Sequence, residues 1–442
     1  MHHIALLLPL ASLLTAKVDR IAREALHDGP LAGLSIAVES KGRRVVSRGW
    51  GFANLELGVP ATERTLYRIG SVTKQFTAAA ILRLVETGRL RLDQDLGELL
   101  PGFPTQGHRV TVQHLLTHTS GIFSYTSLGP DFWEKTTRLE LTPGEVLDLF
   151  KDRPFDFAPG EKWSYSNSGY HLLGMILEKI GGHPYAEVVR TEVLERAGLR
   201  RTLYCANEPI LEGRAAGYSQ KDGKLVNAAA IGMSIPFSAG GLCSTVDELI
   251  AWQRALETGK VVSAASYRKM ITPVTTRDGA PNGYGYGLGI GDLDGHRRIS
   301  HGGGINGFSG DLARYPDDDL TVVVLGNTDA TVGLIAARVG RAALGLSEPA
   351  VKDLPVPAEE AARMVGTYQV HGHQLVVFAS GGRLRLRSPG DERGDELLYQ
   401  GGGEFLVKGT PDHLRFDTQG ARATALRLGD GKRWRLEAVR VE

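Results

Sequence analysis

The order of strand-like and helix-like segments is the feature that most restricts the fold of this chain. Strand patterns occur at Leu34–Val38 and Arg44–Arg48 and return only after residue 284. The intervening residues 71–259 carry helical spacing. Strands at both ends with helices between them predict an α/β domain, in which the terminal segments share one antiparallel sheet flanked by helices and the middle forms a helical lobe. We expect a site between the sheet and the lobe.

The individual elements follow from the spacing of apolar residues. In the helix predicted over Val18–His27, apolar side chains recur on one face. The helix that begins at Ser71 is apolar nearly all round, which predicts that it is buried. This buried helix is predicted over Ser71–Thr87. The remaining predicted helices are Gly169–Ile180, Tyr185–Ala197, Val246–Thr258 and Val332–Leu344. The later predicted strands are Gly285–Ile290, Arg298–His301, Gly310–Tyr315 and Thr321–Leu325.

The last part of the chain has a different pattern. After the proline-marked stretch Leu354–Pro357, short alternating runs are separated by glycines, and Leu384 and Leu386, for example, alternate with arginines. This is the period of a half-buried strand. Residues 357–442 are therefore predicted to form a separate small all-β domain, a sandwich or a barrel, after a larger domain over residues 17–350.

Residues 1–16 resemble a secretory signal peptide. An almost wholly apolar run from Ile4 to Leu14 is followed by the small residue Ala16, and nothing else in the sequence is long and apolar enough for a transmembrane segment. We expect cleavage near Ala16 and a secreted or periplasmic protein. No Lys or Arg precedes the run, so the alternative is an apolar first helix that packs on the domain.

Composition excludes several classes of function. Lys and Arg total 51 and Asp and Glu total 50, without a basic run, which argues against nucleic-acid binding. The histidines and the two cysteines show no metal-ligand spacing, and no nucleotide-binding motif stands in the required strand–helix context, so we expect no metal and no cofactor. Cys205 and Cys243 are either buried thiols or, in an exported protein, one disulfide.

The segment Ser71–Lys74, an S-x-x-K motif, can provide an activated nucleophile. A serine hydroxyl attacks a carbonyl only when a base takes its proton, and residues three apart in a helix face each other. Burial disfavours a charged Lys74 and so favours the neutral amine that a base requires. A second match, Ser266–Lys269, lacks the following apolar helix and is interpreted as a solvent-exposed helix face.

Two further motifs follow in the chain. Tyr165 lies on a predicted loop with Asn167 two positions later, so a phenol could relay a proton and an amide could hold a substrate amide or the lysine. The alternative for this motif is a helix entry with an N-cap. His301 and the glycines at 302–304 follow a strand pattern, and an edge strand there could offer an N–H to a developing oxyanion. The alternative for the glycines is a flexible turn.

Together the three motifs resemble the signature of the class C β-lactamase-like serine hydrolases. That family includes D,D-peptidases, D-aminopeptidases, family VIII esterases and β-lactamases. A related set of motifs is S-x-x-K, S-D-N and K-T-G, and here the second motif is Y-S-N and the third is H-G-G. The likeness extends to Leu115–Gly121, Ala158–Glu161 and Ala239–Leu242 and covers about residues 17–345. The tail resembles the lipocalin-like C-terminal domain of some family peptidases.

The resemblance implies a β-lactamase/transpeptidase-like fold and an acyl-enzyme mechanism. Ser71 would attack a carbonyl, and Lys74 and Tyr165 would share the proton transfers, with either of them as the base. The backbone N–H groups of Ser71 and Gly304 would form the oxyanion hole. The residues expected to contact the substrate are Asn167, His301, Gly303 and Gly304, of which Asn167 could instead orient Lys74.

The third motif bears on the substrate. In the family's K-T-G enzymes the Lys and Thr are placed to meet a substrate carboxylate, whereas His301 and Gly302 stand at those positions here, and a largely neutral histidine attracts a carboxylate less than lysine does. We therefore expect an ester or a small D-amino-acid amide or peptide as substrate, unless an arginine restores the contact. The alternatives are a β-lactamase or D-Ala-D-Ala carboxypeptidase, a penicillin-binding sensor that acylates without turnover, and a non-enzymatic relative whose β domain binds. A homo-oligomer is left open.

Overall fold

The computed structural model describes residues 7–277, 279, 282–370, 373–387, 394–408, 410, 412–429 and 434–441. Contacts divide the chain into two compact units, Met1–Leu346 and Ser347–Glu442. Residues 1–6 of the predicted signal peptide lie outside the described residues. No helix among the described residues has the length and apolar character that crossing a membrane requires.

Strands at the two ends of the first unit enclose a mainly helical region, as the sequence pattern predicts, but four short strands that were not predicted also lie within that region, between residues 203 and 244. The strands are β1 (Gly33–Ser40), β2 (Arg43–Asn54), β3 (Val59–Pro60), β4 (Tyr67–Arg68), β5 (Leu203–Tyr204), β6 (Tyr218–Lys221), β7 (Lys224–Asn227), β8 (Leu242–Ser244), β9 (Gly289–Leu293), β10 (His296–Ile305), β11 (Phe308–Tyr315) and β12 (Leu320–Gly326). The helices are α1 (Leu7–Asp28), α2 (Thr73–Glu86), α3 (Leu96–Leu99), α4 (Val112–Leu116), α5 (Pro130–Glu134), α6 (Pro143–Asp148), α7 (Asn167–Gly181), α8 (Tyr185–Val189), α9 (Glu195–Ala197), α10 (Phe237–Gly240), α11 (Val246–Glu257), α12 (Ala264–Met270) and α13 (Gly333–Leu344). A π-helical turn over Arg190–Leu194 joins α8 to α9.

One antiparallel sheet joins the two ends of this unit. Its strand order is β3-β2-β1-β12-β11-β10-β9, and β1 pairs with β12 from Leu34 opposite Gly326 to Ser40 opposite Leu320. The first and last segments are therefore neighbours in one sheet, with the helical lobe between them in sequence. The predicted α/β architecture is confirmed.

The central strands are covered on both faces. All of β1 except its last residue is buried. Ile36 and Val38 belong to an apolar cluster with Val18 of α1 and Val339 of α13, whereas Ala37 belongs to the larger cluster of the helical lobe. Because successive residues of a strand point to opposite faces, this division shows a sheet that lies between two helical layers.

Helix α2 forms the centre of the lobe. Every residue from Thr73 to Leu82 is buried, as its apolar sequence predicted. Phe76 stacks on Trp252 of α11, with 4.0 Å between the ring centroids. Gly88, with φ +71°, follows the end of the helix, where a left-handed residue commonly stops it. Lys74, the lysine of the S-x-x-K motif, therefore lies in a helix that is buried within the protein.

Besides the short inner strands β5 to β8, two elements of the first unit differ from the prediction. The helix expected over Val18–His27 extends over the whole of α1, because the apolar run before Val18 continues its helical path. The strand expected over Gly285–Ile290 starts later, as β9, because the preceding residues form a turn in which the Gly285 N–H donates to the Leu288 carbonyl. A Cβ at Gly287 would lie 2.7 Å from the Lys74 carbonyl oxygen, so this turn packs directly on the start of α2.

The second unit is a short helix followed by a closed eight-stranded barrel. Its elements are α14 (Ala358–Met364), β13 (Gly366–Val370), β14 (His373–Ser380), β15 (Arg383–Arg387), β16 (Asp395–Gly401), β17 (Glu404–Val407), β18 (His413–Gln419), β19 (Arg422–Gly429) and β20 (Trp434–Arg440). Each strand pairs with the next, and β20 closes on β13. Of the two predicted all-β forms, the structure has the barrel. The Leu354 N–H donates to Tyr399, so the proline-marked stretch lies on this unit.

The two cysteines are joined in one disulfide. Cys205 follows β5 and Cys243 lies in β8, and both are fully buried, with 5.2 Å between their Cα atoms. Of the two states expected from the sequence, the structure therefore has the bonded one. Within the part of the chain that the structure describes, no group of three or more His, Cys, Asp or Glu side chains could hold a metal ion.

Candidate active site

Ser71 lies in a tight turn that leads directly into α2. Residues Gly70–Val72 form one turn of 3-10 helix, and α2 begins at Thr73. Gly70 has φ +48°, and a Cβ at this position would lie 2.8 Å from the backbone nitrogen and oxygen of Gly304. Glycine is the residue that permits both the left-handed backbone and this close approach. The contact brings the first and third motifs together.

The amine of Lys74 has three oxygen neighbours. Nζ lies 3.0 Å from Ser71 Oγ, 2.8 Å from Asn167 Oδ1 and 2.8 Å from the Ala239 carbonyl oxygen. Lys74 is 0% exposed, and burial holds its pKa well below the usual range. A neutral amine has two N–H donors and one lone pair, so it can donate to Asn167 and Ala239 and accept from the Ser71 hydroxyl. The arrangement suits a base beside its serine.

The phenol of Tyr165 is buried beside Ser71. Burial raises the pKa of Tyr165, and the neighbouring Ser71 side chain offsets this only in part, so the pKa lies above its ordinary value. Lys74 Nζ lies 4.8 Å from the centre of the Tyr165 ring. Burial therefore favours the neutral form of both groups: an amine that can accept a proton and a phenol that keeps one.

Asn167 is the first residue of α7, and its side chain is held at both ends. Oδ1 accepts from Lys74, while Nδ2 donates to Thr126 Oγ1 at 3.2 Å. The N-cap of α7 is Ser166, whose Oγ accepts from the Gly169 N–H. Of the two roles expected for Asn167, the geometry favours orientation of Lys74, because both ends of the amide are already bonded within the protein.

The third motif lies within strand β10 rather than in a flexible turn. β9 pairs with β10 only as far as Ser300, which leaves Gly303 and Gly304 beside the Ser71 turn. The β10–β11 hairpin closes at Ile305 opposite Phe308, so Gly304 stands in the alternate, non-hydrogen-bonded position and its N–H points away from β11. The Ser71 N–H belongs to the first helical turn, where such groups have no intrahelical acceptor. The two N–H groups can therefore serve one oxyanion.

The ring of His301 is directed into the protein. His301 is 8% exposed, with Nδ1 2.6 Å from the Gly302 carbonyl oxygen and Nε2 2.8 Å from the Tyr284 hydroxyl. A carbonyl only accepts, so Nδ1 donates to Gly302 and Nε2 accepts from Tyr284. Burial lowers the pKa of His301 to about 3. Both ring nitrogens of His301 are hydrogen-bonded within the protein, and its ring lies 6.2 Å from that of Tyr165. The contact of His301 with substrate stays a prediction.

The family profile for Beta-lactamase matches residues 18–350. The chain belongs to this family. The match covers the sheet, the helical lobe and all three motifs, and it ends before the barrel.

Several similar proteins have names or solved structures. A D-aminopeptidase from Gluconobacter oxydans is 29% identical over 329 residues, which are 72% of this chain and 60% of that protein. The octameric penicillin-binding protein homologue from Pyrococcus abyssi is 29% identical with a TM-score of 0.70, over 96% of this chain and 99% of that one. A D-stereospecific amidohydrolase from Streptomyces sp. is 29% identical with a TM-score of 0.64, over 75% and 99%. This chain therefore spans 60% of the length of the D-aminopeptidase, and almost the whole of the two solved chains has the same fold as part or all of this chain.

Sequence reasoning on this β-lactamase-family chain missed two groups that support the site. His118 is buried, its ring lies 4.3 Å from that of Tyr165, and its Nδ1 accepts from the Ser166 N–H at 3.1 Å. Burial also holds the pKa of His118 well below its usual value. The other group is the Ala239 carbonyl that accepts from Lys74. His118 lies in the family-typical segment Leu115–Gly121, and Ala239 begins the family-typical segment Ala239–Leu242. The spacing of residues along the sequence does not indicate the role of either group.

Gly303→Ala is expected to lose most activity and to unfold at a lower temperature than the wild type. A Cβ at Gly303 would lie 2.0 Å from the Ile69 carbonyl oxygen, and such overpacking costs about 1–3 kcal/mol. Gly302→Ala is the matched control, because its nearest neighbour would be 3.8 Å away. Thermal unfolding and kcat/KM for a p-nitrophenyl ester check both variants. Equal behaviour of the two would contradict the close contact of β10 with the Ser71 turn.

Proposed function

We propose that this protein hydrolyses esters or amides through an acyl-enzyme on Ser71. The observation that carries the proposal is the buried amine of Lys74, 3.0 Å from Ser71 Oγ. In that setting the neutral amine takes the hydroxyl proton as Ser71 attacks. Tyr165 acts as a protonated relay rather than as the base, because burial raises its pKa.

The steps conserve atoms and protons. Ser71 Oγ forms a bond to the substrate carbonyl carbon, and the N–H groups of Ser71 and Gly304 hold the oxygen that becomes negative. The proton taken by Lys74 passes through Tyr165 to the leaving alcohol or amine as its bond to the carbonyl carbon breaks. A water molecule then gives a proton to the same pair, attacks the acyl ester and releases the acid, and Ser71 regains its proton.

We propose esters and small D-amino-acid amides as the substrate class. Relatives named D-aminopeptidase and D-stereospecific amidohydrolase support this class, and the neutral, internally bonded His301 offers no cation where K-T-G enzymes have one. A panel of a short p-nitrophenyl ester, D-Ala-p-nitroanilide, a D-Ala-D-Ala peptide and nitrocefin tests it. A preference of more than about tenfold in kcat/KM for either of the last two would favour a carboxypeptidase or β-lactamase. A burst without turnover would indicate a sensor.

A fluorophosphonate probe is expected to add one mass increment to the peptide that contains Ser71. The reason is that the probe reacts with a serine that an adjacent base activates. Ser71→Ala should abolish the labelling, whereas Ser266→Ala, in the second S-x-x-K segment, should leave it unchanged. Peptide mapping by mass spectrometry gives the result, and labelling that persists in Ser71→Ala rules out this nucleophile.

We propose that the protein is exported after cleavage near Ala16. Leu13 of α1 is 55% exposed, whereas Val18 and Ile21 are at most 1% exposed, so removal of residues 1–16 would retain the part of α1 that packs on the sheet. A disulfide between Cys205 and Cys243 is also usual for oxidising compartments. N-terminal sequencing of protein from its native host tests the proposal, and an intact Met1 on cytosolic protein would refute it.

We propose that the second unit is lipocalin-like in topology and that apolar side chains fill the part of its interior that the described residues line. Its strands follow the up-and-down order of such barrels. The barrel side chains Tyr368, Phe405 and Leu414 are fully buried and belong to one apolar cluster. An eight-stranded barrel has an interior that such side chains can fill or that can hold one small ligand, and here large apolar side chains occupy it.

We also propose that the protein forms a homo-oligomer. The Pyrococcus abyssi homologue, whose likeness extends over 96% of this chain, is octameric. Sedimentation analysis of the purified protein gives its assembly state, and a monomer at all accessible concentrations would exclude the oligomer.

A further inference from the structure

His118 has an unusual backbone conformation for a residue with a large side chain. It lies two residues after the end of α4, and its φ is +59°, in the left-handed region. Helices commonly end at a residue in this conformation, but that residue is usually glycine and sometimes asparagine. A histidine here is therefore strained, and strain of this kind is concentrated at functional sites.

His118 holds the segment of Tyr165 on both sides. Its carbonyl oxygen accepts from the Ser164 N–H at 3.0 Å, and its Nδ1 accepts from the Ser166 N–H at 3.1 Å. Ser164 and Ser166 are the residues immediately before and after Tyr165. The ring of His118 also lies 4.3 Å from the ring of Tyr165. One strained residue therefore contacts the segment of the phenol at three points.

The bond from Ser166 places the ring proton of His118 on Nε2. A backbone N–H only donates, so Nδ1 accepts and carries no proton. Nε2 is buried and has no acceptor among the described residues, and the rings of Tyr284 and Tyr170 lie 4.8 and 5.1 Å from the histidine ring. Buried donors without acceptors are rare in folded proteins. The bond to the segment of Tyr165 is thus made although the other ring nitrogen stays unsatisfied.

The position of the Tyr165 phenol depends on contacts of this kind. Residues 162–166 belong to no helix or strand, so no regular hydrogen-bond ladder determines where Tyr165 lies. A proton relay works only when its oxygen is within hydrogen-bond reach of its partners, and a displacement of about 1 Å can lower a rate by about 10²-fold. Loss of the bonds from His118 would permit such a displacement.

We propose that His118 is a positioning residue for the proton relay, and that its bond through Nδ1 to the Ser166 N–H fixes the Tyr165 phenol beside Ser71. The inference rests on the proposed acyl-enzyme function. It adds to that function a residue that acts through Tyr165 rather than on the substrate itself.

Two substitutions of His118 separate its hydrogen bond from its ring. Asparagine has Oδ1 three bonds from Cα, as histidine has Nδ1, and it accepts the left-handed backbone. Phenylalanine keeps an aromatic ring but has no acceptor. We expect His118→Phe to lower kcat for phenyl acetate by about 10- to 100-fold, with less change in KM, and His118→Asn to retain most of the wild-type kcat. Equal kcat in the two variants, or the opposite order, would overturn the proposal.

A double substitution tests whether His118 acts through Tyr165. In the Tyr165→Phe background, which has no phenol to position, His118→Phe should lower kcat by less than about threefold, whereas independent effects would multiply. His171→Phe is the matched control, because His171 is also fully buried but its ring lies 5.2 Å from Phe237 rather than beside Tyr165. Its effect on kcat should be the same in both backgrounds, and thermal unfolding measures the stability of every variant. Multiplied losses for His118→Phe would contradict the positioning role.

Nitrogen-15 NMR of histidine-labelled protein provides a readout that needs no activity. Burial holds the pKa of His118 well below its usual value, so the neutral Nε2–H form should persist from about pH 6 to 9. Its signals are those that disappear in His118→Asn, and a proton on Nδ1 would overturn the hydrogen bond and the proposal.

The outcomes distinguish this inference from the proposed function. An impaired Tyr165→Phe together with a normal His118→Phe overturns the positioning role alone, whereas a normal Tyr165→Phe contradicts the relay itself and with it the need to position the phenol. If no ester is turned over, the proposed hydrolysis fails, and the NMR result still decides whether His118 holds the segment: Nε2–H supports the bond, and Nδ1–H excludes it.

Discussion

Lys74→Ala is expected to lower kcat by about 10²- to 10⁴-fold, the range for loss of a general base. The amine is the group that can accept the Ser71 proton at 3.0 Å, and Asn167 and Ala239 hold it in that position. Without it the Ser71 hydroxyl stays protonated and is a poor nucleophile. KM should change less than kcat, because the proton transfer occurs in the transition state rather than on binding.

Lys269→Ala is the matched control for this prediction. Lys269 occupies the same position of the second S-x-x-K segment, in α12, but its side chain is exposed, although Ser266 of that segment is buried. We expect normal kcat in this variant. Thermal unfolding of both variants separates lost chemistry from lost fold, and near-normal turnover by a folded Lys74→Ala would remove Lys74 from the mechanism.

The pH dependence provides a second readout of Lys74. Burial lowers its pKa from 10.5, and the neutral form is the active base, so kcat/KM should rise as pH increases through that lowered pKa and fall as the amine becomes protonated. His301, with a pKa of about 3, stays neutral in this range and should add no limb. Initial rates measured from about pH 4 to 10 give the profile. A profile without an acidic limb would assign the base to another group.

Tyr165→Phe is expected to lower kcat by about 10²-fold or more, because the change removes only the hydroxyl that relays the proton. The ring that packs 4.3 Å from His118 is retained, so the site should keep its shape. The pKa of Tyr165 is raised, which makes the neutral phenol the working form. Deprotonation of Tyr165 should therefore cause no fall in kcat as the pH rises through neutrality.

Tyr185→Phe is the control for Tyr165→Phe. Tyr185 is also fully buried in the helical lobe, and its hydroxyl lies 2.7 Å from Thr77 Oγ1 rather than beside Ser71. Steady-state kinetics and thermal unfolding of the two variants should show similar stability and different kcat. A Tyr165→Phe enzyme with wild-type kcat would show that the leaving group receives its proton by another route.

Local sequence determined much of the fold and the core of the site. Alternation and helical spacing predicted the strands at both ends of the first unit, the buried helix α2 and the β character of the tail, because these patterns depend only on which residues must leave water. The pairing of Ser71 with Lys74 follows from residues three apart in one helical segment. Burial of α2 then distinguished this S-x-x-K segment from the one at Ser266–Lys269.

Tertiary structure alone decided which distant groups complete the site. The Lys74 amine meets Asn167, 93 residues away, and the Ala239 carbonyl, 165 residues away. The inward turn of the His301 ring and the pairing of Cys205 with Cys243 likewise depend on how separate elements pack. Hydrogen bonds and close backbone contacts act over about 3 Å, so the positions that make them are set by the packing of whole layers. Spacing along the chain carries no information about those distances.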